Sequence, residues 1–253
     1  MDVLEKLYNF YSEYIGEKFV FGKSTLGKDM YCFKVVKTAR PVIIVQYAIH
    51  AREYITTYLA LKQIKDFFTF GTFGTVYFIP AVNPDGIETC LKNHPLYKAN
   101  AFGVDLNVNF DARWGTGAKN VFFRGDENYV GDKPFSEKES ALLRDFTLAV
   151  KPDLTVSYHS KGEEIYWEFF QDKKNAARDF KFAAAVRDCT GYNIACAGKS
   201  VGGYKDWCID KLKIPALTIE VGNDALVHPL KESDLPNIYE KNKEVIFALT
   251  ERE

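Results

Sequence analysis

The chain has 253 residues, 47% of them hydrophobic and 15% aromatic, which suffices for one sizeable core and excludes a disordered or low-complexity chain. Its 33 basic and 34 acidic residues leave a formal net charge of −1, so nucleic acid and anionic membrane surfaces are not expected partners. No apolar run approaches the roughly 18 residues of a membrane-spanning helix.

The first stretch, "MDVLEKLYNFYSEYIGEKF", spaces its apolar residues helically and mixes acids among them. It lacks the basic start and apolar centre of a secretion signal, so a cytoplasmic protein is expected. "KFVFGKSTLGKDMYCFKVV" predicts a hairpin turning at "TLGKD". "PVIIVQYAI" is a continuous apolar run, as in a strand buried on both faces. "REYITTYLALKQIKDFF" follows with helical spacing of Ile55, Leu59 and Ile64, and "TVYFIPAV" is a second buried strand. The stretch from Asn83 to Phe135 is rich in Asn, Asp, Gly and Pro and reads as a long functional loop.

Ser136 and Glu139 have capping-box spacing and predict a helix start. "DLTVSYHS" and "ALTIEVG" are further buried strands, "NAARDFKFAAAVRDC" a helix, and "LPNIYEKNKEVIFALTERE" a closing helix. No linker or repeat interrupts the alternation. One α/β domain over residues 1–253 is expected, a three-layer α/β/α sandwich around a mixed, mostly parallel twisted sheet. Cys32, Cys90, Cys189, Cys196 and Cys208 are odd in number and form no C-x-x-C pair, so reduced thiols are expected.

The chemistry concentrates at the strand ends. In "AIHAREYI", His50 and Glu53 are three residues apart where a strand gives way to a helix, so both point the same way. An imidazole and a carboxylate so placed suit zinc. Alone the spacing is weak, since a capping acid and a stray histidine produce it too. Of the other histidines, His94 and His228 precede prolines in loops and read as bland. His159 instead ends the buried strand "TVSYHS". Together His50, Glu53 and His159 supply three metal ligands and leave one position open, the pattern of a catalytic zinc. Glu220 sits inside an otherwise apolar strand, where an unpaired carboxylate is expensive. Beside a metal it suits a general base that later acts as general acid.

These residues belong to an ordered set. "HAREYI", "NPDG", "GVDLNVNF", "SYHS" and "GGYKDW" follow one another, and Glu220 lies thirteen residues past Trp207. The set resembles the zinc carboxypeptidases of the pancreatic type over nearly the whole chain. The resemblance implies one zinc ion held by His50, Glu53 and His159, with Glu220 as general base. It implies that Asp105 orients the first ligand histidine and that Arg52 lines the substrate cleft.

Other positions depart from that pattern. Lys98 stands where the family has an arginine that stabilises the oxyanion, keeping the charge but losing the planar fork. Asn107 matches a residue that holds a substrate's terminal carboxylate. Val108 replaces the arginine that pairs with that carboxylate, and Gly198 falls where the family has a mobile tyrosine. Lys205 occupies the position before Asp206–Trp207, at the floor of the family's specificity pocket, and suits a carboxylate on the side chain being held.

These departures, with "HSKGEEIYW", resemble the bacterial branch that cleaves γ-D-glutamyl-diaminopimelate bonds. The expected substrate is a small peptide derived from cell-wall murein, with Lys205 on the distal carboxylate. Glu163 or Glu164 is considered for the distal amine, against a solvated acidic turn. Three rival readings stay open. One is an ordinary metallocarboxypeptidase, with Arg113 or Arg124 in place of the lost arginine. The others are an amidohydrolase of N-acyl amino acids and a metal-free binding module.

Overall fold

The computed structural model describes residues 1–196 and 198–251. Eight strands form one sheet: β1 (Glu17–Lys23), β2 (Asp29–Val36), β3 (Val42–Tyr47), β4 (Thr75–Ile79), β5 (Leu154–Ser160), β6 (Glu164–Tyr166), β7 (Asn193–Ala195) and β8 (Ala216–Val221). Their order across the sheet is β1-β2-β4-β3-β5-β8-β6-β7. The central strands β4, β3, β5 and β8 are mutually parallel, while β1, β2 and β6 pair antiparallel at their junctions. The helices are α1 (Val3–Glu13), α2 (Ile55–Phe70), α3 (Pro84–Lys92), α4 (Lys138–Val150), α5 (Lys173–Thr190), α6 (Tyr204–Trp207), α7 (Leu235–Asn242) and α8 (Val245–Thr250).

Strand alternation divides the core in two. On β3, Ile43, Val45 and Tyr47 face a cluster completed by Val3 and Leu7 of α1, Leu59 and Phe67 of α2, Val186 of α5 and Ile238 of α7. Ile44 faces the opposite cluster, with Leu143 of α4 and Tyr204 and Trp207 of α6. On β5, Leu154, Val156 and Tyr158 belong to the first cluster, as do Leu217, Ile219 and Val221 of β8. The period of two therefore sends His159 and Glu220 toward the α6 side. They are direct cross-strand partners. Parallel strands also bring their carboxyl ends to one edge of the sheet, where ligand sites of open α/β folds gather.

The three-layer architecture and buried strands agree with the sequence expectation, and local details differ. The long loop contains α3, whose N-cap Asn83 accepts a hydrogen bond from the Gly86 N–H at 3.0 Å, with Pro84 at the first helical position. Asn-Pro is a helix-start signal that the loop reading passed over. Ser136 does not cap α4. Glu137 is the N-cap, and the Glu139 carboxylate accepts from the Thr25 N–H at 2.8 Å. A distant backbone donor has taken the acid that a capping box would use. The closing helix is broken into α7 and α8, and its last two residues lie outside the described part. No disulfide links the five cysteines among the described residues. No helix among the described residues is long and apolar enough to cross a membrane.

Candidate metal centre and its cleft

His50 leaves the carboxyl end of β3 and N-caps the 3-10 turn Ala51–Glu53, which points its imidazole and the Glu53 carboxylate inward together. The Glu53 oxygens lie 2.9 Å from His50 Nδ1 and 2.9 Å from His159 Nδ1. The two Nδ1 atoms are 3.2 Å apart. All three side chains are buried. A tetrahedral zinc about 2.1 Å from two ligand nitrogens separates them by about 3.4 Å. The donor set and its spacing therefore fit one zinc ion, and the three residues could hold it.

Asp105 orients this group from behind. Its Oδ1 lies 3.1 Å from His50 Nε2 and accepts from the Asn107 N–H at 2.9 Å. Its Oδ2 pairs with Lys98 Nζ at 2.7 Å. A carboxylate on the remote ring nitrogen fixes the tautomer and leaves the Nδ1 lone pair available to a metal. Burial opposes charge throughout, yet Glu53 and Asp105 together raise the His50 imidazole to about 9. Burial lowers His159, with partial compensation from Glu53. Despite burial, Lys98 and His50 hold the Asp105 carboxyl well below the usual range.

Glu220 lies beside this triad. Its Oε2 is buried without a hydrogen-bond partner among the described residues. Burial, then the charge of Glu53, pushes its carboxyl far above the ordinary range. A carboxyl held that way binds its proton more tightly than an ordinary one.

One cleft of about 690 Å³ contains the triad, Glu220, Arg52, Lys98, Asp105, Asn107 and Lys205. Their attachments differ from simple expectation. Lys98 also donates to Asn128 Oδ1 at 2.8 Å, so the protein holds its ammonium on two sides. Buried Lys205 pairs with Asp206 at 2.6 Å and donates to the Glu168 carbonyl at 2.8 Å. One ammonium N–H remains for the cleft. The Asn107 side-chain oxygen accepts from the Tyr204 N–H at 3.2 Å, which leaves its amide NH₂ for a ligand. Val108, next in the chain, also lines the cleft.

Neither Glu163 nor Glu164 lines the cleft among the described residues. Glu163 pairs with Lys241 at 2.6 Å, and Glu164 accepts from the Tyr166 hydroxyl. Arg113 and Arg124 are absent from the lining too, since Arg113 stacks 3.4 Å over the Phe170 ring and Arg124 lies over Phe102. Sequence reasoning missed Lys119, Lys161, Lys199 and His228, which all line the cleft. The Lys119 and Lys199 loops meet through a hydrogen bond from the Ala118 N–H to the Lys199 carbonyl at 3.3 Å. No local pattern marks these residues, because they reach the cleft only through loop folding.

The zinc carboxypeptidase family model matches residues 2–245. Among curated relatives, gamma-D-glutamyl-L-diamino acid endopeptidase 1 of Lysinibacillus sphaericus is 26% identical over 235 residues, covering 79% of this chain and 58% of that protein. Murein peptide amidase A of Escherichia coli K12 is 29% identical over 217 residues, covering 79% of each. Rat carboxypeptidase B also matches, at 29% identity over 76% of this chain and 54% of its own length. The chain thus spans little more than half the length of the first and third. The structure of bovine thrombin-activatable fibrinolysis inhibitor, in complex with tick carboxypeptidase inhibitor, superposes with a TM-score of 0.86 at 22% identity, covering 99% of this chain and 96% of that one. At that identity the superposition speaks for the fold. With the matched family model covering nearly its full length, the chain belongs to the zinc carboxypeptidase family.

Proposed function

We propose that this protein is a peptidase that hydrolyses γ-D-glutamyl-diaminopimelate bonds of murein-derived peptides. Zinc, when bound by His50, Glu53 and His159, supplies the Lewis acidity that acidifies water and polarises the scissile carbonyl. Glu220 accepts the proton of the attacking water and passes it to the leaving amine. Its raised proton affinity helps it hold the proton between the two steps. Lys98 adds positive charge near the developing oxyanion, positioned by Asp105.

The observation that carries the substrate reading is Lys205. It is a buried ammonium in the wall of the cleft with one N–H to spare, and the same cleft is lined by Val108, where the resemblance leads one to expect an arginine. That arrangement favours a carboxylate on the downstream side chain over an ordinary terminal carboxylate. The relatives named for gamma-D-glutamyl-L-diamino acid and murein peptide cleavage support the reading. A peptide panel on zinc-loaded protein tests it, comparing diaminopimelate with lysine and free with amidated carboxylates. Cleavage of γ-D-glutamyl-diaminopimelate peptides is expected. Trimming of ordinary C-terminal residues with those peptides left intact overturns the assignment.

A further inference from the structure

Three further cationic or imidazole groups line the cleft beside the metal triad. Arg52 lies between His50 and Glu53 on the turn leaving β3, Lys161 follows the end of β5, and His228 lies on the loop beyond β8. All three line the cleft. They emerge past the carboxyl ends of three adjacent parallel strands. Lys205 instead sits on α6. Arg52 and Lys161 both lie close enough to His228 for their charges to act on its imidazole, which groups the three within the cleft.

Their existing partners separate these groups from the other cleft cations. Lys98 and Lys205 are bound to the buried acids Asp105 and Asp206. Arg52 pairs with Glu127, whose side chain is 56% exposed, at 3.0 Å. Lys161 lies 3.4 Å from the Asp224 carboxylate, on a side chain 84% exposed, and otherwise donates to the Asp224 carbonyl at 2.8 Å. Ion pairs with exposed acids are worth at most about 1 kcal/mol, so a ligand carboxylate can displace them. Arg52 Nε and His228 Nδ1 are buried with no partner among the described residues. Imidazole presents one N–H in either neutral tautomer.

We propose that Arg52, Lys161 and His228 form a second anion-recognition site, which takes a carboxylate carried by the residue upstream of the scissile amide. This deepens the proposed function and rests on it for the linkage. A γ-linked glutamyl residue keeps its α-carboxylate free. An α-linked glutamyl residue carries its side-chain carboxylate the same number of bonds from the scissile carbonyl. The site accepts either, so its test does not stand or fall with the γ-linkage.

The experiment compares pairs of peptides that differ only by carboxylate or carboxamide on the upstream residue. One pair is γ-D-glutamyl and γ-D-isoglutaminyl, and the other is α-linked Glu and Gln. For the zinc-loaded protein, kcat/KM is expected to favour the carboxylate by about tenfold or more, the worth of a charge-assisted hydrogen bond. Lys161→Met and His228→Phe should each shrink that ratio, the double variant should bring it near one, and Lys161→Arg should restore it. Calorimetric titration of metal-free protein with the same peptides should show the same preference without turnover. A wild-type ratio near one in both linkages overturns the site, as does a ratio unchanged in the double variant. Preference for α-linked Glu with γ-linked peptides left intact supports the site while rejecting the γ-glutamyl assignment.

Discussion

His50 and His159 present their Nδ1 atoms to each other at 3.2 Å, with the Glu53 carboxylate within 2.9 Å of both. Donor atoms crowd so closely only where a proton or a cation lies between them. In the metal-free protein, Glu53 and Asp105 overcome burial and hold the His50 imidazole up at about 9. Zinc must displace that proton, so its affinity falls as pH drops below that value. Between about pH 8 and about pH 6 the zinc dissociation constant should rise about tenfold per unit. Competition against a chelator reads this directly, and a flat profile contradicts a protonated His50.

Asp105 touches both His50 Nε2 and Lys98 Nζ. Asp105→Asn should weaken zinc binding about 10- to 100-fold. It should also release Lys98 from its buried counter-charge. Metal content after dialysis at fixed free zinc tests the first effect. Undiminished zinc affinity would remove Asp105 from the metal centre.

Glu220→Gln keeps the shape and removes the proton acceptor. Hydrolysis should fall by about 10²–10⁴-fold, the usual share of general acid–base catalysis. Zinc content and substrate KM should change little. A large loss of zinc with the activity would reassign Glu220 to holding the metal.

Lys205 and Asp206 are each about 6% exposed and 2.6 Å apart. Lys205→Met alone strands the Asp206 charge and should destabilise the fold by about 3–5 kcal/mol. Adding Asp206→Asn should recover part of that in urea denaturation. Activity on the diaminopimelate peptide should stay low in both variants, which separates substrate recognition from folding. Equal losses on every peptide would take Lys205 out of recognition.

Val108 leaves an apolar wall beside Asn107. Val108→Arg should raise kcat/KM for peptides with ordinary C-terminal residues by about tenfold, through a new charge-assisted pair with the terminal carboxylate. The same change should not help C-terminally amidated peptides. A gain on both would show that the arginine acts on something other than the carboxylate.

The sequence by itself determined the architecture and the neighbourhood of the chemistry. Apolar runs marked β3, β4, β5 and β8, and the two-residue period places His159 and Glu220 on the face opposite the α2 layer. The three-residue spacing of His50 and Glu53 needs only one turn to bring them together, so it too is a local property. Only the tertiary structure decided which charges are committed and which are available. It tied Lys98 to Asp105, Lys205 to Asp206 and Glu163 to Lys241, stacked Arg113 on Phe170, and brought His228 into the cleft. It also moved the start of α4 by giving Glu139 to the Thr25 backbone. Each of these contacts joins positions whose meeting depends on how loops fold across the sheet or on which nearby partner burial makes obligatory. Periodicity reports which way a side chain leaves its own element, whereas pairing depends on what the rest of the chain places there.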